Sequence, residues 1–248
     1  MLELRNVSLN LDGTNGAGKE ILRNVNLKLE RGKLYAITGP NGGGKTSLAK
    51  VIMGIYTPSE GQVLLDGEDI TCLGITERAH RGIAYGFQQP PRFKGLLVEE
   101  IMKIARPNLD TVQLRGYLRD VGLCPEDYLD RDLGPGLSGG EIKRIEVAQL
   151  LARNAPVTIL DEPEAGVDLW TIQKLISIIT KRYKGNSQGI AIVITHNEQF
   201  LPVCDEIILL AEGSVQERGT PEQIWPLIRD DIVCKMKGQC GGSVYGVQ

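Results

Sequence analysis

Leu34-Tyr35-Ala36-Ile37-Thr38-Gly39-Pro40-Asn41-Gly42-Gly43-Gly44-Lys45-Thr46 is the segment from which the rest of the chain is best read. Leu34–Thr38 is a short apolar run suited to a buried parallel strand, and Thr46–Ile55 behind the glycines has helical spacing. Between them, Gly39–Thr46 fits the pattern G-x-x-x-x-G-K-[ST]. Glycines let successive backbone N–H groups turn inward around an anion. The helix that follows aims its positive end at the same point. Lys45 can neutralise β- and γ-phosphate charge, and the Thr46 hydroxyl can ligate Mg²⁺. Gly39, Pro40, Asn41, Gly42, Gly43, Gly44, Lys45 and Thr46 are therefore the candidate ATP-binding residues. A second stretch, Gly13-Thr14-Asn15-Gly16-Ala17-Gly18-Lys19-Glu20, imitates the pattern. It ends in Glu20, which offers no hydroxyl and repels phosphate, and a strand pattern follows it. It reads as a hairpin loop.

Outward from this loop, residues 2–11 alternate (Leu2, Leu4, Val7, Leu9, Leu11), and Ile21–Leu29 alternate again. Both predict half-buried strands of an antiparallel sheet. Gln62–Leu65 predicts a further strand, with Asp66-Gly67 as a turn. From about residue 90 to 155 the spacing becomes three and four (Leu97, Ile101, Ile104; Leu114, Leu118, Val121), which predicts an inserted helical subdomain. Strand texture returns at Val157–Leu160, Ile190–Thr195 and Ile207–Leu210, with a helix over Thr171–Arg182. Strands alternating with helices imply a mostly parallel sheet. The expected architecture is an α/β P-loop NTPase: a parallel core sheet, an N-terminal antiparallel β subdomain and the helical insertion. One domain is expected over 1–225, with a C-terminal extension over 226–248. No internal repeat is visible.

Val157-Thr158-Ile159-Leu160-Asp161-Glu162-Pro163 is a buried strand ending in two acids. Asp161, at the carboxyl end, is placed to hold Mg²⁺ through water. Glu162 can accept a proton from an attacking water. His196 ends another apolar strand, where a neutral imidazole can reach the γ-phosphate or that water. Alone, each is an ordinary surface residue; beside a phosphate loop they form a constellation.

Bulk properties restrict the alternatives. The 248 residues are 42% apolar and 24% charged, with a net charge of −3, which disfavours a nucleic-acid-binding role. The first residues lack a basic region followed by an apolar run, and no stretch approaches a membrane span. Five cysteines (Cys72, Cys124, Cys204, Cys234, Cys240) are dispersed, as reduced thiols are. A cytoplasmic protein is expected, with membrane association through partners as the alternative. The roles of Cys234 and Cys240 stay open.

Five segments in this order and spacing resemble the ATP-binding cassette (ABC) ATPases: residues 39–46, Phe87-Gln88, Leu137-Ser138-Gly139-Gly140-Glu141, Ile159–Pro163 and Thr195-His196. The resemblance covers about residues 1–225. It implies Mg-ATP hydrolysis by a head-to-tail dimer. In such a dimer Ser138, Gly139, Gly140 and Glu141, opening a helix, bind the γ-phosphate held by the other copy. It also implies that Gln88 reaches Mg²⁺ and the attacking water, and that Asp168 belongs to the interface loop. Two departures stand out. The position that matches the usual adenine-stacking aromatic is Leu11, which implies a weak aliphatic contact. The interface loop reads Ala165-Gly166-Val167-Asp168 instead of Ser-Ala-Leu-Asp.

Three partners compete: soluble scaffold proteins of SUF iron–sulfur cluster assembly, whose ATPase is SufC; transmembrane subunits of a transporter; and DNA or ribosomes. The last usually demands two cassettes or a long coiled-coil insertion. Glu77–Ala84, Gly86-Phe87-Gln88-Gln89-Pro90-Pro91, Glu141-Ile142-Lys143-Arg144, the interface loop and the missing aromatic resemble SufC. The expectation from sequence therefore leans to the SUF reading, with the transporter subunit as the alternative.

Overall fold

The computed structural model describes residues 1–12, 18–184 and 188–228. Residues 13–17, the first part of the Gly13–Glu20 segment, and the tail with Cys234, Cys240 and Gly241-Gly242 lie outside the described residues. In chain order the elements are β1 (Leu2–Asp12), β2 (Gly18–Leu29), β3 (Lys33–Thr38), α1 (Lys45–Met53), β4 (Glu60–Leu65), β5 (Glu68–Asp69), α2 (Ile75–His80), β6 (Ile83–Gly86) and β7 (Phe93–Leu97). There follow α3 (Val98–Ala105), α4 (Thr111–Asp120), α5 (Pro125–Tyr128), β8 (Asp132–Leu133), α6 (Gly139–Arg153), β9 (Val157–Asp161), α7 (Leu169–Tyr183), β10 (Ile190–Ile194), β11 (Glu206–Ala211) and β12 (Ser214–Gly219). Residues 221–228 are helical.

Two sheets organise these elements. The first is antiparallel, in the order β2-β1-β4-β5; the second runs β12-β11-β3-β10-β9-β6. In the second, β11, β3, β10, β9 and β6 are parallel, and only β12 runs against its neighbour. The β4–β5 turn holds both Asp66 (φ 52°) and Gly67 (φ 86°) in the left-handed region, as a tight hairpin requires.

Period-two alternation divides the interior. From the parallel strands, Tyr35, Ile37, Ile159, Ile192 and Ile194 point toward α1 and the antiparallel sheet. Leu34, Ala36, Leu160, Ala191 and Val193 point the other way, into a cluster built largely on α3, α4, α6 and α7. With both faces covered, the strands read as continuous apolar runs.

Two differences from the sequence reading are structural. β6, between β9 and the Gln88 segment, is a full member of the parallel sheet. Within the helical stretch, Phe93–Leu97 pairs antiparallel with Asp132–Leu133, so that region contains a small β ribbon as well as helices.

Arg78 is fully buried, yet every acceptor it meets is a backbone carbonyl: Val51 (2.7 Å), Ile52 (2.9 Å), Thr71 (2.8 Å) and Leu73 (3.0 Å). The last carbonyls of a helix have no intrahelical donor, so this guanidinium closes the C-terminal end of α1, the helix that begins at the phosphate loop. Arg78→Met removes the guanidinium from all four carbonyls, of which Val51 keeps the Gly54 N–H at 3.1 Å. We expect a loss of about 4 kcal/mol in unfolding free energy by urea denaturation. A loss below about 1 kcal/mol would mean that water replaces the guanidinium.

Candidate functional site

The site lies at the carboxyl ends of the parallel strands, where open α/β sheets bind ligands. β3 feeds the loop Gly39–Gly44. Gly39 has φ 139°, and a Cβ there would stand 2.0 Å from the Leu210 carbonyl oxygen of β11. Gly44 (φ 100°) caps α1, and a Cβ there would meet the Ile21 carbonyl oxygen of β2 at 3.0 Å. The loop is thus wedged between two backbones, which requires glycine at both positions. Lys45 is 6% exposed; its ammonium donates to the Gly39 and Pro40 carbonyls at 2.8 and 2.9 Å, and burial lowers its pKa.

A cavity of about 890 Å³ opens over this loop, lined by Asn41, Lys45, Thr46, Gln88, Glu162 and His196, among others. Four strand ends that are distant in sequence therefore meet here. The Thr46 hydroxyl lies 3.4 Å from Asp161 Oδ1. Burial raises the pKa of Asp161, while hydrogen bonds from Tyr85 and Thr46 oppose the rise. Gln88 Nε2 donates to Glu162 Oε2 at 2.9 Å, and His196 Nε2 stands 4.0 Å from Glu162 Oε1. Burial, then the nearby Lys45, lower the His196 pKa and keep its imidazole neutral near pH 7. Glu162 has φ 47°, a left-handed conformation that costs a non-glycine residue about 1–2 kcal/mol. The carboxylate facing Gln88 is thus held on a strained backbone.

Whether these residues suit Mg²⁺ can be tested on the donor set. Thr46 supplies a hydroxyl and Asp161 a carboxylate across a 3.4 Å gap, and Gln88 keeps an amide oxygen after donating to Glu162. Hard oxygens in small number fit an ion that keeps several waters and substrate phosphates.

Residues 137–141 split in role. Leu137 is buried, whereas Ser138 and Gly139 are exposed at the start of α6. Ser138 caps the helix: its Oγ accepts from Glu141 N at 3.3 Å, and its N–H donates to Glu141 Oε2 at 2.7 Å. Glu141 Oε1 accepts from the Tyr128 hydroxyl, with Arg131 at 3.8 Å. These hydrogen bonds, that of Tyr128 first, bring the Glu141 pKa down to about 2. Both carboxylate oxygens of Glu141 are engaged within this chain, so its side chain serves to hold the tip. A Cβ on Gly140 would stand 2.5 Å from the Gly166 carbonyl oxygen, which brings the Asp168 loop against that tip. Asp168 caps α7 through Thr171 N–H (3.0 Å) and Oγ1 (2.6 Å).

Several participants escaped the sequence reading. Lys19 and Ile21 of β2 line the cavity, and Leu11, like Ile21, packs against the interior cluster. Lys143 and Glu146 of α6 form a buried ion pair at 3.2 Å. Lys143 donates to the Asp161 carbonyl at 2.9 Å and to the Phe87 carbonyl, and Glu146 accepts from Phe87 N–H at 2.8 Å. Arg92 donates to the Gly134 and Leu137 carbonyls, at 2.9 Å each. Tyr85 donates to Asp161 at 2.7 Å, and burial pushes its phenol pKa up. The four-residue apolar run Ile83–Gly86 before Phe87-Gln88 was the one available signal.

Residues 22–165 match the family described as ABC transporter. The chain belongs to the ABC transporter ATPase family. The cassette is 36% identical over 215 residues to the uncharacterized ABC transporter ATP-binding protein MJ0035 of Methanocaldococcus jannaschii, covering 83% of this chain and 85% of that one. It is 33% identical over 212 residues to the lipopolysaccharide export system ATP-binding protein LptB of Haemophilus influenzae, covering 83% and 87%. The dimeric post-hydrolysis structure of the ATP-binding cassette MJ0796, bound to ADP and Pi, superposes with a TM-score of 0.79 at 26% identity, over 89% of this chain and 99% of that one. The α/β P-loop fold is that of the family, and the cassette is an ATPase. Among the described residues, no helix is long and apolar enough to cross a membrane.

Proposed function

We propose that this cassette is the ATP-binding subunit of a membrane ABC transporter and hydrolyses Mg-ATP between two copies of the chain. The observation that carries the catalytic part is the meeting of the phosphate loop, Asp161, Glu162, Gln88 and His196 in one open cavity. Glu162 takes the proton of the attacking water, and Gln88 orients both. His196, neutral, donates toward the γ-phosphate, and Lys45 turns from its own loop carbonyls to the β- and γ-phosphates. Thr46, Asp161 and Gln88 would hold Mg²⁺, which would supply charge neutralisation on those oxygens. The site is open on one side, and Ser138, Gly139 and Gly140 close it from a second copy, with Asp168 in the contact. The dimer of MJ0796 supports that arrangement.

The names of the relatives support the transporter reading over SUF assembly. A groove of about 220 Å³ beside Gln88, lined by Phe87, Pro91, Phe93, Ile101, Ile142 and Leu150, suits an apolar segment of a partner. The SUF reading rests on sequence resemblance alone, in Glu141-Ile142-Lys143-Arg144 and the Gly-hydrophobic-Asp interface loop. Affinity capture of the full chain from detergent-solubilised native cells separates the two. Integral membrane proteins are expected to co-purify in stoichiometric amounts. Soluble scaffold proteins in their place would establish the SUF reading and sink the transporter one.

A further inference from the structure

Asp161 is 0% exposed, and a buried carboxylate needs a partner on each oxygen. Its Oδ1 faces the Thr46 hydroxyl on the cavity side, and its Oδ2 accepts the Tyr85 hydroxyl. Tyr85 comes from β6, where it is paired in register with Ile159 of β9. Its ring is set edge-on to Phe87, with centroids 4.8 Å apart and planes at 75°. The phenol is therefore fixed before it meets the carboxylate. The last torsion of an aspartate is otherwise broad, so a donor held in place on Oδ2 decides where Oδ1 points.

We infer that Tyr85 is a positioning residue for the metal-side carboxylate: by binding Oδ2 it presents Oδ1 of Asp161 to a cation beside Thr46. This rests on Asp161 holding the metal. Groups that orient metal ligands without touching the metal change affinity by about 10–100-fold. A tyrosine that only filled the core would leave that affinity alone.

The test is Tyr85→Phe, which removes one oxygen and keeps the ring, made in the full chain alongside Asp161→Asn. ATP affinity is measured by calorimetry in EDTA, Mn²⁺ affinity of the ATP-loaded protein by electron paramagnetic resonance, and ATPase rate against Mg²⁺ concentration. For Tyr85→Phe we expect metal-free ATP affinity within about twofold of the parent, and Mn²⁺ affinity and the Mg²⁺ activation constant each weakened about tenfold. The kcat at saturating Mg²⁺ should stay within about threefold. Unchanged Mn²⁺ affinity in Tyr85→Phe, with a clear loss in Asp161→Asn, overturns the role of Tyr85 alone. Unchanged Mn²⁺ affinity in both variants removes Asp161 from the metal site. An equal loss of ATP affinity in EDTA and in metal would mark Tyr85 as merely structural and overturn the inference.

Discussion

Glu162→Gln is expected to bind ATP as the parent does and to lower kcat by about 10³-fold. The amide keeps the shape of the carboxylate and still offers an acceptor to Gln88 Nε2, which donates to Glu162 at 2.9 Å. What it loses is the ability to take a proton. The neighbours offer little replacement. Asp161 is buried and committed to Tyr85 and Thr46, and His196 stands 4.0 Å from Glu162 on the far side. Single-turnover and steady-state rates with ATP in excess check this. A variant keeping more than about a tenth of the parental kcat would show that Glu162 is not the base.

Ser138→Arg is expected to weaken ATP-dependent dimerisation by more than about 100-fold while leaving the monomer folded. The side chain stands exposed at the tip of α6, so the monomer can accommodate an arginine. The lost cap costs about 1 kcal/mol, and the rest of the capping arrangement, Glu141 with Tyr128 and Arg131, remains. A second copy bringing its nucleotide to that tip meets a bulky guanidinium where a small hydroxyl and free N–H groups stood. Light scattering in the Glu162→Gln background, where ATP persists, reads the outcome. A nucleotide-bound dimer of unchanged affinity would exclude a site shared across copies.

The legible parts of the sequence were those whose physics is local. Gly39–Thr46 and Val157–Glu162 announce strand ends because an apolar run stops at glycines or acids. The paired alternation of Leu2–Leu11 and Ile21–Leu29 predicts the antiparallel sheet for the same reason. β6 was missed because Ile83–Gly86 is four residues long, too short to show a period. The ribbon at Phe93–Leu97 was missed because Leu97 also fits the helical spacing that begins there. Nothing local to Lys143 and Glu146 signals their burial, since a charged residue is seldom buried. Their partners are backbone groups at Phe87 and Asp161, remote in sequence and without side-chain identity. The lean toward SUF assembly rested on short runs such as Glu141–Arg144. The relatives' names favour a transporter instead, and the segments on which both readings agree encode only the chemistry the two have in common.

α6 bears on both sites at once. Its first residues present the tip, and Lys143, four residues or about 6 Å along the axis, grips the carbonyls of Phe87 and Asp161. So short a piece of helix does not bend. In the shared-site arrangement proposed above, a tilt of the tip would pass through Lys143 to the carbonyls of Phe87 and Asp161, and would tie each copy's hydrolytic readiness to its hold on the other.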